Sequence, residues 1–302
     1  MIDIEKNNEV VKSNPWERFT KFNFDIRRVK DNDEHTFHFV GDTHAHTRTH
    51  CRKALLAYQK RWSPFFDAGN NWMFLVGDLF DYQRTTERKV FDSLRAQGYS
   101  FDDFEEFLQY KRDLLVNDLL FTKGCVIGAV EGNHGHMLPT GETLDESLTR
   151  TLAAKGGKYC GAVGVIICRF HMKKDCFVDV KTIIFHGKSA TQYLGSNLNE
   201  VERANRTWPT VDIICAGHSH KMVYAPDAVM LPEYEEPEVK QHETLMFKCG
   251  SFQRNYVNGD GNYATPRMWK PSVMRMPRVN IKVWSEKVGG ARVGRKYMEF
   301  VG

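Results

Sequence analysis

The sequence has no long apolar run and no cysteines at metal-binding spacing. None of its 302 residues lies in a stretch approaching the ~18 consecutive apolar residues of a transmembrane helix, so we expect no contact with a membrane. The seven cysteines are scattered and never form a Cys-x-x-Cys pair, which argues against a disulfide framework and a zinc knot. Cys160, Cys168 and Cys176 lie in apolar, strand-like sequence, which favours buried, reduced thiols.

We expect no secretion leader, and the chain has no strong excess of charge. Its opening, MIDIEKNNEVVKSNPWERF, interleaves charges with single apolar residues and has no apolar core of a secretion signal. Together with the reduced thiols, this opening predicts a soluble, cytoplasmic protein. Lys and Arg number 42 against 38 Asp and Glu, and the net charge of +4 permits an anionic substrate without predicting nucleic acid.

Strands and helices alternate through the first half of the chain. Residues 36–41 and the run WMFLVGD have the pattern of strands that end in Gly-Asp, and CVIGAV has that of a third strand, which continues into EGNHGH. Between and after them, apolar residues at helical spacing predict helices near 47–66, 85–97 and 101–120. This alternation predicts parallel strands joined by crossovers and an α/β fold.

The second half is richer in strands. AVGVIICRF and FVDVKTIIFHG flank a predicted hairpin turn, and SNLNEVERANR predicts a short helix. Three late runs, TLMFKCGSF, VMRMPRVNIKVW and ARVGRKYMEFV, are expected to complete a second sheet. Residues 225–242 contain three prolines and a cluster of glutamates at 233–238, and we expect them to form an exposed acidic loop.

A chain of this length favours one domain, which we place at 36–302, after an N-terminal extension at 1–35 that packs on or flanks it. A late loop at 253–273 is rich in Gly, Pro and aromatic residues and is expected to lie over the site formed by the earlier loops. Its Tyr263 and Trp269 are candidates for stacking on a base, although packing within the loop is the simpler interpretation.

Polar side chains follow five of the predicted strands. They are Asp42 and His44, Asp78 and Asp81, Asn133 and His134, His186, and the pair His218 and His220. Ligands of open α/β sheets bind beyond the carboxyl ends of the strands, so these side chains can converge although they are far apart in sequence. Carboxylate oxygens and imidazole nitrogens suit divalent transition metals, and the set is large enough to hold two ions.

In this order the blocks GDTHAH, GDLFD, GNHGH, FHG and GHSH resemble the five signature blocks of the calcineurin-like metallophosphoesterases. The resemblance covers residues 41–220. It implies a two-sheet α/β/β/α sandwich with a dinuclear metal centre at the strand ends. One ion would be held by Asp42, His44 and His220, the other by Asn133, His186 and His218, and Asp78 would bridge them. The late GSF-x-x-x-Y run is also similar to phosphoesterases encoded by bacteriophages, which would place the protein in the host cytoplasm.

Such a centre would hydrolyse a phosphoester directly. Two cations about 3.5 to 4 Å apart hold a hydroxide and neutralise the phosphoryl oxygens. The leaving oxygen then needs a proton, for which His134 is the candidate acid. An acidic residue commonly follows this histidine in the family, whereas here the block is GNHGH, so His136 is a candidate to replace it. Mn is the expected metal, with Fe, Zn, Co and Ni as alternatives.

The substrate is left open by the sequence. His46, Arg48, Arg84, His136 and Lys188 lie close to the blocks and are candidate substrate contacts, with solvent exposure as the alternative for each. A phosphodiesterase acting on DNA, RNA or a nucleotide is the first hypothesis, and a phosphomonoesterase the second. A catalytically silent, metal-stabilised scaffold that binds a partner is the non-enzymatic alternative.

Overall fold

The computed structural model describes most of the chain, namely residues 19–45, 47, 50–80, 101–134, 137–138, 140–172, 176–188, 194–231, 240–254, 256–257, 260–261 and 274–302. Several features predicted from the sequence lie outside these ranges: the helix at 85–97, the acidic loop at 233–238, most of the late loop, and the residues His46, Arg48, Asp81, Arg84, His136, Tyr263 and Trp269.

The first sheet has six strands, four of which are parallel. These four are β2 (Asp33–Val40), β3 (Asn71–Val76), β4 (Val126–Val130) and β5 (Ala153–Tyr159), in this order across the sheet. Beyond β2 the sheet continues with β13 (Arg278–Val288) and β14 (Ala291–Val301), each antiparallel to the strand before it. The parallel strands predicted from the first half of the chain are confirmed.

The second sheet also has six strands but is mixed. Across the sheet they are β1 (Phe19–Ile26), β6 (Val163–His171), β7 (Phe177–Phe185), β8 (Ile213–Ala216), β10 (Lys240–Lys248) and β9 (Val223–Leu231). β6 and β7 form the predicted antiparallel hairpin, and β7, β8 and β10 are parallel to one another. A separate antiparallel pair is formed by β11 (Tyr256–Val257) and β12 (Asp260–Gly261).

Among the described residues, three α-helices cover the outer face of the first sheet and one covers the second. α1 (Arg52–Asp67), α2 (Phe101–Leu119) and α3 (Leu144–Leu152) share a buried cluster with β3 and β4, whereas α4 (Leu194–Thr207) packs on β7 and β8. Between the sheets lies an aromatic core in which Phe39 stacks on Phe74 and meets Phe247 edge-on. Burial of each such side chain contributes roughly 1.5 to 3 kcal/mol. The layers are those of an α/β/β/α sandwich, as predicted.

Two expectations about the late strands are wrong. Residues 225–242 were expected to form a loop, but 225–231 belong to β9 and 240–242 to β10. Pro226 is compatible with a strand because β9 lies at the sheet edge, where a missing N–H costs no ladder bond on the open side. β13 and β14 extend the first sheet and not the second, because β13 pairs with β2. Only β10 joins the second sheet as expected.

The described part of residues 1–35 supplies β1 and the start of β2. Phe22, Phe24 and Ile26 alternate into the core and explain why this segment is a strand. The division into an extension and one domain stays a prediction. Within the described ranges no helix is both long and apolar enough to cross a membrane.

Candidate metal centre

All seven predicted ligands lie just past the carboxyl ends of strands. In the first sheet, β2, β3 and β4 are parallel, so the loops that follow them lie at one edge. In the second sheet β7 and β8 are parallel and end together. The two edges meet where Nδ1 of His186, directly after β7, lies 2.9 Å from the carbonyl oxygen of Val76, the last residue of β3. Convergence follows from this topology.

Five of the seven ligands have left-handed backbone conformations. Their φ angles are 47° for Asp42, 43° for His44, 46° for Asp78, 71° for His218 and 54° for His220. Such angles are uncommon outside glycine and cost of order 1 kcal/mol each, and they cluster at functional sites. Backbone hydrogen bonds hold them, for example from Asp42 N to Gly77 O at 3.0 Å and from His44 N to Asp78 O at 3.1 Å.

The first group of ligand atoms comes from Asp42, His44 and His220. Nε2 of His44 lies 2.9 Å from Nε2 of His220, and the latter lies 3.5 Å from Oδ1 of Asp42. All three side chains are buried, and their ligand atoms lie within 4.8 Å of one another. The backbone N–H of His218 donates to both carboxylate oxygens of Asp42, at 3.0 and 2.9 Å, and so orients that carboxylate.

The second group comes from Asp78, His186 and His218, with the amide of Asn133 among them. Oδ1 of Asn133 lies 3.0 Å from Nε2 of His186 and 2.8 Å from Nδ1 of His218. The two histidine nitrogens are 3.2 Å apart. Asp78 reaches both groups, because its Oδ2 lies 3.0 Å from Nε2 of His186 and 3.9 Å from Nε2 of His44.

This arrangement fits divalent metal ions. Nδ1 of His186 donates to the carbonyl oxygen of Val76, so in the neutral ring Nε2 carries a lone pair. That lone pair faces Oδ2 of Asp78 and Oδ1 of Asn133, both of which are acceptors. Three acceptors at about 3 Å repel one another unless a proton or a cation lies between them. Mixed oxygen and nitrogen donors without sulfur are the set that Mn, Fe, Zn and Co accept.

The pKa values of these side chains express the same crowding. Burial raises the pKa of Asp42 to about 6, the charge of His186 opposes this rise, and the charge of Asp78 adds to it. Burial would lower the pKa of His186, but Asp78 raises it to about 9, so a proton takes the position between the acceptors. Burial lowers the pKa of His218 to about 4 and that of His220 well below its usual value.

The pKa of Asp78 moves in the opposite direction from that of Asp42. Burial raises it, but the surrounding histidines, His186 first among them, outweigh burial and lower it. Asp78 is therefore the carboxylate that stays ionised in the metal-free site. An ionised carboxylate within reach of both ligand groups is what a bridging ligand requires.

Glycines let the strand-end loops approach closely. A Cβ on Gly132 would lie 1.9 Å from Oδ1 of Asp78, and one on Gly77 would lie 2.7 Å from Nδ1 of His186. A Cβ on Gly217 would lie 2.9 Å from that same nitrogen. The glycines of the GD, GN and GH blocks thus leave room for the predicted ligands. Gly77 is required for a second reason, because its φ of 79° lies in the left-handed region that favours glycine.

The predicted acid, His134, lies beside the ligands. Its backbone N–H donates to Oδ1 of Asp78 at 3.0 Å, and its Nε2 lies 3.9 Å from Oδ2 of the same residue. Its side chain is 35% exposed, whereas that of Asp78 is 1% exposed, so the imidazole can meet a substrate. Lys188 lines a pocket next to Asn133 and His186, which keeps it a candidate substrate contact.

The sequence did not identify two supporting residues. The buried Asp145, in the first turn of α3, accepts a hydrogen bond from the backbone N–H of Gly132, and burial raises its pKa to about 7. A Thr143-x-x-Glu146 capping box marks this helix start in the sequence, but not the contact of Asp145. Ser251 donates its hydroxyl to the carbonyl oxygen of Asp42 at 2.7 Å, a contact that the GSF-x-x-x-Y run containing it does not reveal.

Comparisons with known proteins add likenesses of low identity. No family model matches the sequence, and no curated protein matches it. Three solved structures resemble the chain at 12% identity each. One is a predicted phosphoesterase from Streptococcus pneumoniae, with a TM-score of 0.31 and an alignment that covers 88% of this chain and 99% of that chain. Another is Vacuolar Protein Sorting 29 from Cryptosporidium parvum, with a TM-score of 0.36 and coverage of 89% of this chain and 98% of that chain. The third is GAP50, the anchor in the inner membrane complex of Plasmodium, with a TM-score of 0.39 and coverage of 85% of this chain and 86% of that chain. Similarity at this level assigns neither a family nor an activity to this chain.

Proposed function

We propose that this protein is a phosphoesterase of the calcineurin-like type that depends on two divalent metal ions, with Mn as the first choice. The observation that carries the proposal is the pair of ligand groups with the carboxylate of Asp78 between them. One ion would be held by Asp42, His44 and His220, and the other by Asn133, His186 and His218, with Asp78 shared. When bound, the ions supply a nucleophile at neutral pH and neutralise charge on the phosphoryl oxygens.

The remaining chemistry belongs to the chain's own side chains. Val76 fixes the ring of His186 through its carbonyl oxygen, and the backbone N–H of His218 fixes the carboxylate of Asp42, so the ligand atoms are oriented before substrate arrives. His134 holds a proton at Nε2 and delivers it to the oxygen of the leaving group. Its partial exposure places that nitrogen at the boundary between the buried ligands and the substrate.

We further propose that the substrate is a phosphodiester of a nucleotide or nucleic acid. An open pocket of about 520 Å³ adjoins Asn133 and His186. Val163 and Phe185 give it an apolar wall, while Lys188 and Arg203 line it with positive charge. A flat, apolar ring attached to anionic phosphate matches such a lining.

Two glutamates, Glu131 and Glu200, also line this pocket, and both are hydrogen-bonded. Oε2 of Glu200 accepts from the buried ammonium of Lys248 at 3.0 Å, and Oε1 accepts from the backbone N–H of Lys188 at 2.8 Å. No ion pair is recorded for the side chains of Lys188 and Arg203 within the described ranges. Lys188 and Arg203 therefore balance the two glutamates of the lining, and they are the groups that would contact an anionic substituent on the substrate.

The test is hydrolysis of matched nitrophenyl esters by protein stripped with chelator and reloaded with Mn. We expect turnover of bis-p-nitrophenyl phosphate that exceeds turnover of the monoester, and its loss together with bound metal in Asp78→Asn. Asp113→Asn, at an exposed carboxylate on α2, is the matched control and should keep both. Preference for the monoester would move the substrate to the phosphomonoesterase class. Silence with every metal and both esters would overturn the enzymatic proposal in favour of a binding scaffold.

A further inference from the structure

A second open pocket, of about 570 Å³, lies between α1 and the start of β13. We call it the arginine pocket. Arg61, Arg275 and Arg278 line it, together with the rings of Tyr58, Trp62 and Phe252. Ala54, Ala57, Met274, Met276, Val301 and Gly302 complete the described lining, in which the α-carboxylate of Gly302 is the anionic group and none of the side chains carries a carboxylate.

The three guanidinium groups have no ion-pair partner among the described residues. Arg278 is half-buried, and its pKa is lowered by burial and by the nearby charge of Arg61. Its guanidinium carbon lies 4.0 Å from the centre of the Trp62 ring, and that of Arg61 lies 5.3 Å from it. Stacking on Trp62 fixes the position of the Arg278 guanidinium but leaves its charge unneutralised. Elsewhere in the protein, Arg52 and Arg169 each form a bidentate pair with an aspartate.

The arginine pocket is connected to the metal centre through one residue. The side chain of Phe252 lines the pocket, while its backbone N–H donates to the carbonyl oxygen of the ligand Asp42 at 3.3 Å. In the first sheet, Arg278 on β13 lies opposite His38 on β2, and β2 continues from His38 towards Asp42. The arginine pocket therefore lies beside the end of β2, whereas the pocket with Lys188 lies where the loops after β4 and β7 meet.

We propose that the arginine pocket binds a backbone phosphate of a single-stranded nucleic acid whose scissile phosphodiester lies at the metal centre. This inference rests on the proposed phosphodiesterase function and names its substrate class. Guanidinium groups in a fixed plane suit phosphate oxygens, and the partly exposed ring of Trp62 next to them suits a base of a single strand, whereas Phe252 is buried. A strand that crosses the metal centre would have room on both sides of the cleaved bond.

The experiment measures binding of a fluorescently labelled twelve-residue oligothymidylate by anisotropy, in chelator, at a series of salt concentrations. The test variant is Arg61→Gln with Arg275→Gln, because both side chains are exposed and their loss should leave the fold intact. Arg278→Met is a second variant that removes the half-buried charge. The matched control is Arg292→Gln with Arg295→Gln, which removes the same charge from β14.

In the test variant we expect affinity to fall at least tenfold and the slope of log K against log salt to drop by roughly 0.7 for each phosphate contact removed. The control should change neither beyond a small effect of net charge. Turnover of bis-p-nitrophenyl phosphate should be unchanged in all variants, since that ester has no second phosphate. This activity separates failure of the inference from failure of the proposed function.

A nucleoside triphosphate serves as competitor to separate the two sources of phosphate. Weak competition supports a polynucleotide, whereas competition as strong as that of the unlabelled oligonucleotide assigns the pocket to the phosphate chain of a free nucleotide and overturns the polynucleotide assignment. Equal affinity and equal salt slope in the test variant, Arg278→Met and the control would overturn the phosphate site altogether. So would an oligonucleotide that does not bind a protein active on bis-p-nitrophenyl phosphate.

Discussion

Replacing Gly132 with alanine should empty the metal centre without any change to a ligand. The new Cβ would lie 1.9 Å from Oδ1 and 2.1 Å from N of Asp78, whereas ordinary contacts begin near 3.4 Å. The carboxylate must therefore move by about 1.5 Å, and metal–ligand distances tolerate only about 0.2 Å. Because Asp78 is shared by both ligand groups, we expect affinity for Mn to fall by at least ten- to a hundredfold, with turnover falling in parallel.

The assay is metal content after dialysis against a limiting concentration of Mn, followed by hydrolysis of bis-p-nitrophenyl phosphate. Gly195→Ala is the matched control, because a Cβ at that position in α4 meets nothing within 4 Å. Thermal unfolding in chelator separates loss of the site from loss of the fold. Native metal content and native turnover in Gly132→Ala would refute the assignment of Asp78 as the shared ligand and the close packing inferred around it.

Three further changes test the surroundings of the site. His134→Ala should keep its metal and lower turnover of an ester with a poor leaving group by about 10² to 10⁴-fold. An equal loss of turnover for an ester with a good leaving group would contradict the role of His134 as the acid. The pKa of Asp145 is raised from 3.8 to about 7, so its contribution to stability is full below pH 4 and is lost as the pH rises towards 7. The free energy of unfolding, measured with denaturant in the presence of chelator, should therefore fall by roughly 4 kcal/mol over this range. Asp145→Asn should flatten that part of the pH profile. Glu200→Gln removes this carboxylate from the buried ammonium of Lys248. The variant should lower the free energy of unfolding in urea by about 3 kcal/mol, and unchanged stability would mean that another group compensates the charge of Lys248.

Local sequence patterns predict a site residue correctly where its position depends on one strand and the loop that follows it. GDTHAH and GDLFD place Asp42 and Asp78 just after buried strands, and parallel pairing of β2 with β3 then brings them together. The sheet to which a strand belongs depends on partners far away, which explains the misplacement of β13 and β14. The contacts of Asp145 and Ser251 with the site loops are of the same kind, since neither lies in a block and each meets its partner only in the folded chain.

The left-handed backbone conformations of the site residues could not be predicted from the sequence, for a different reason. Aspartate and histidine at positions 42, 44, 78, 218 and 220 give no warning of a positive φ, which glycine would signal. The prolines and glutamates of residues 225–242 predict a loop and so conceal β9, because an edge strand accepts proline on its open side.

The left-handed ligand residues have a consequence for exchange of the metal. Their conformations are held by hydrogen bonds within the chain, among them Asp42 N to Gly77 O and His218 N to the Asp42 carboxylate, and none of these bonds needs an ion. The cost of these conformations is met by the fold, so an ion enters loops that already have their final shape. Removing one cation and loading another should then proceed without unfolding, unlike in a zinc finger. In the proposed phosphoesterase, the metal bound in the cell would therefore be set by the supply of ions and by their affinity for mixed oxygen and nitrogen donors.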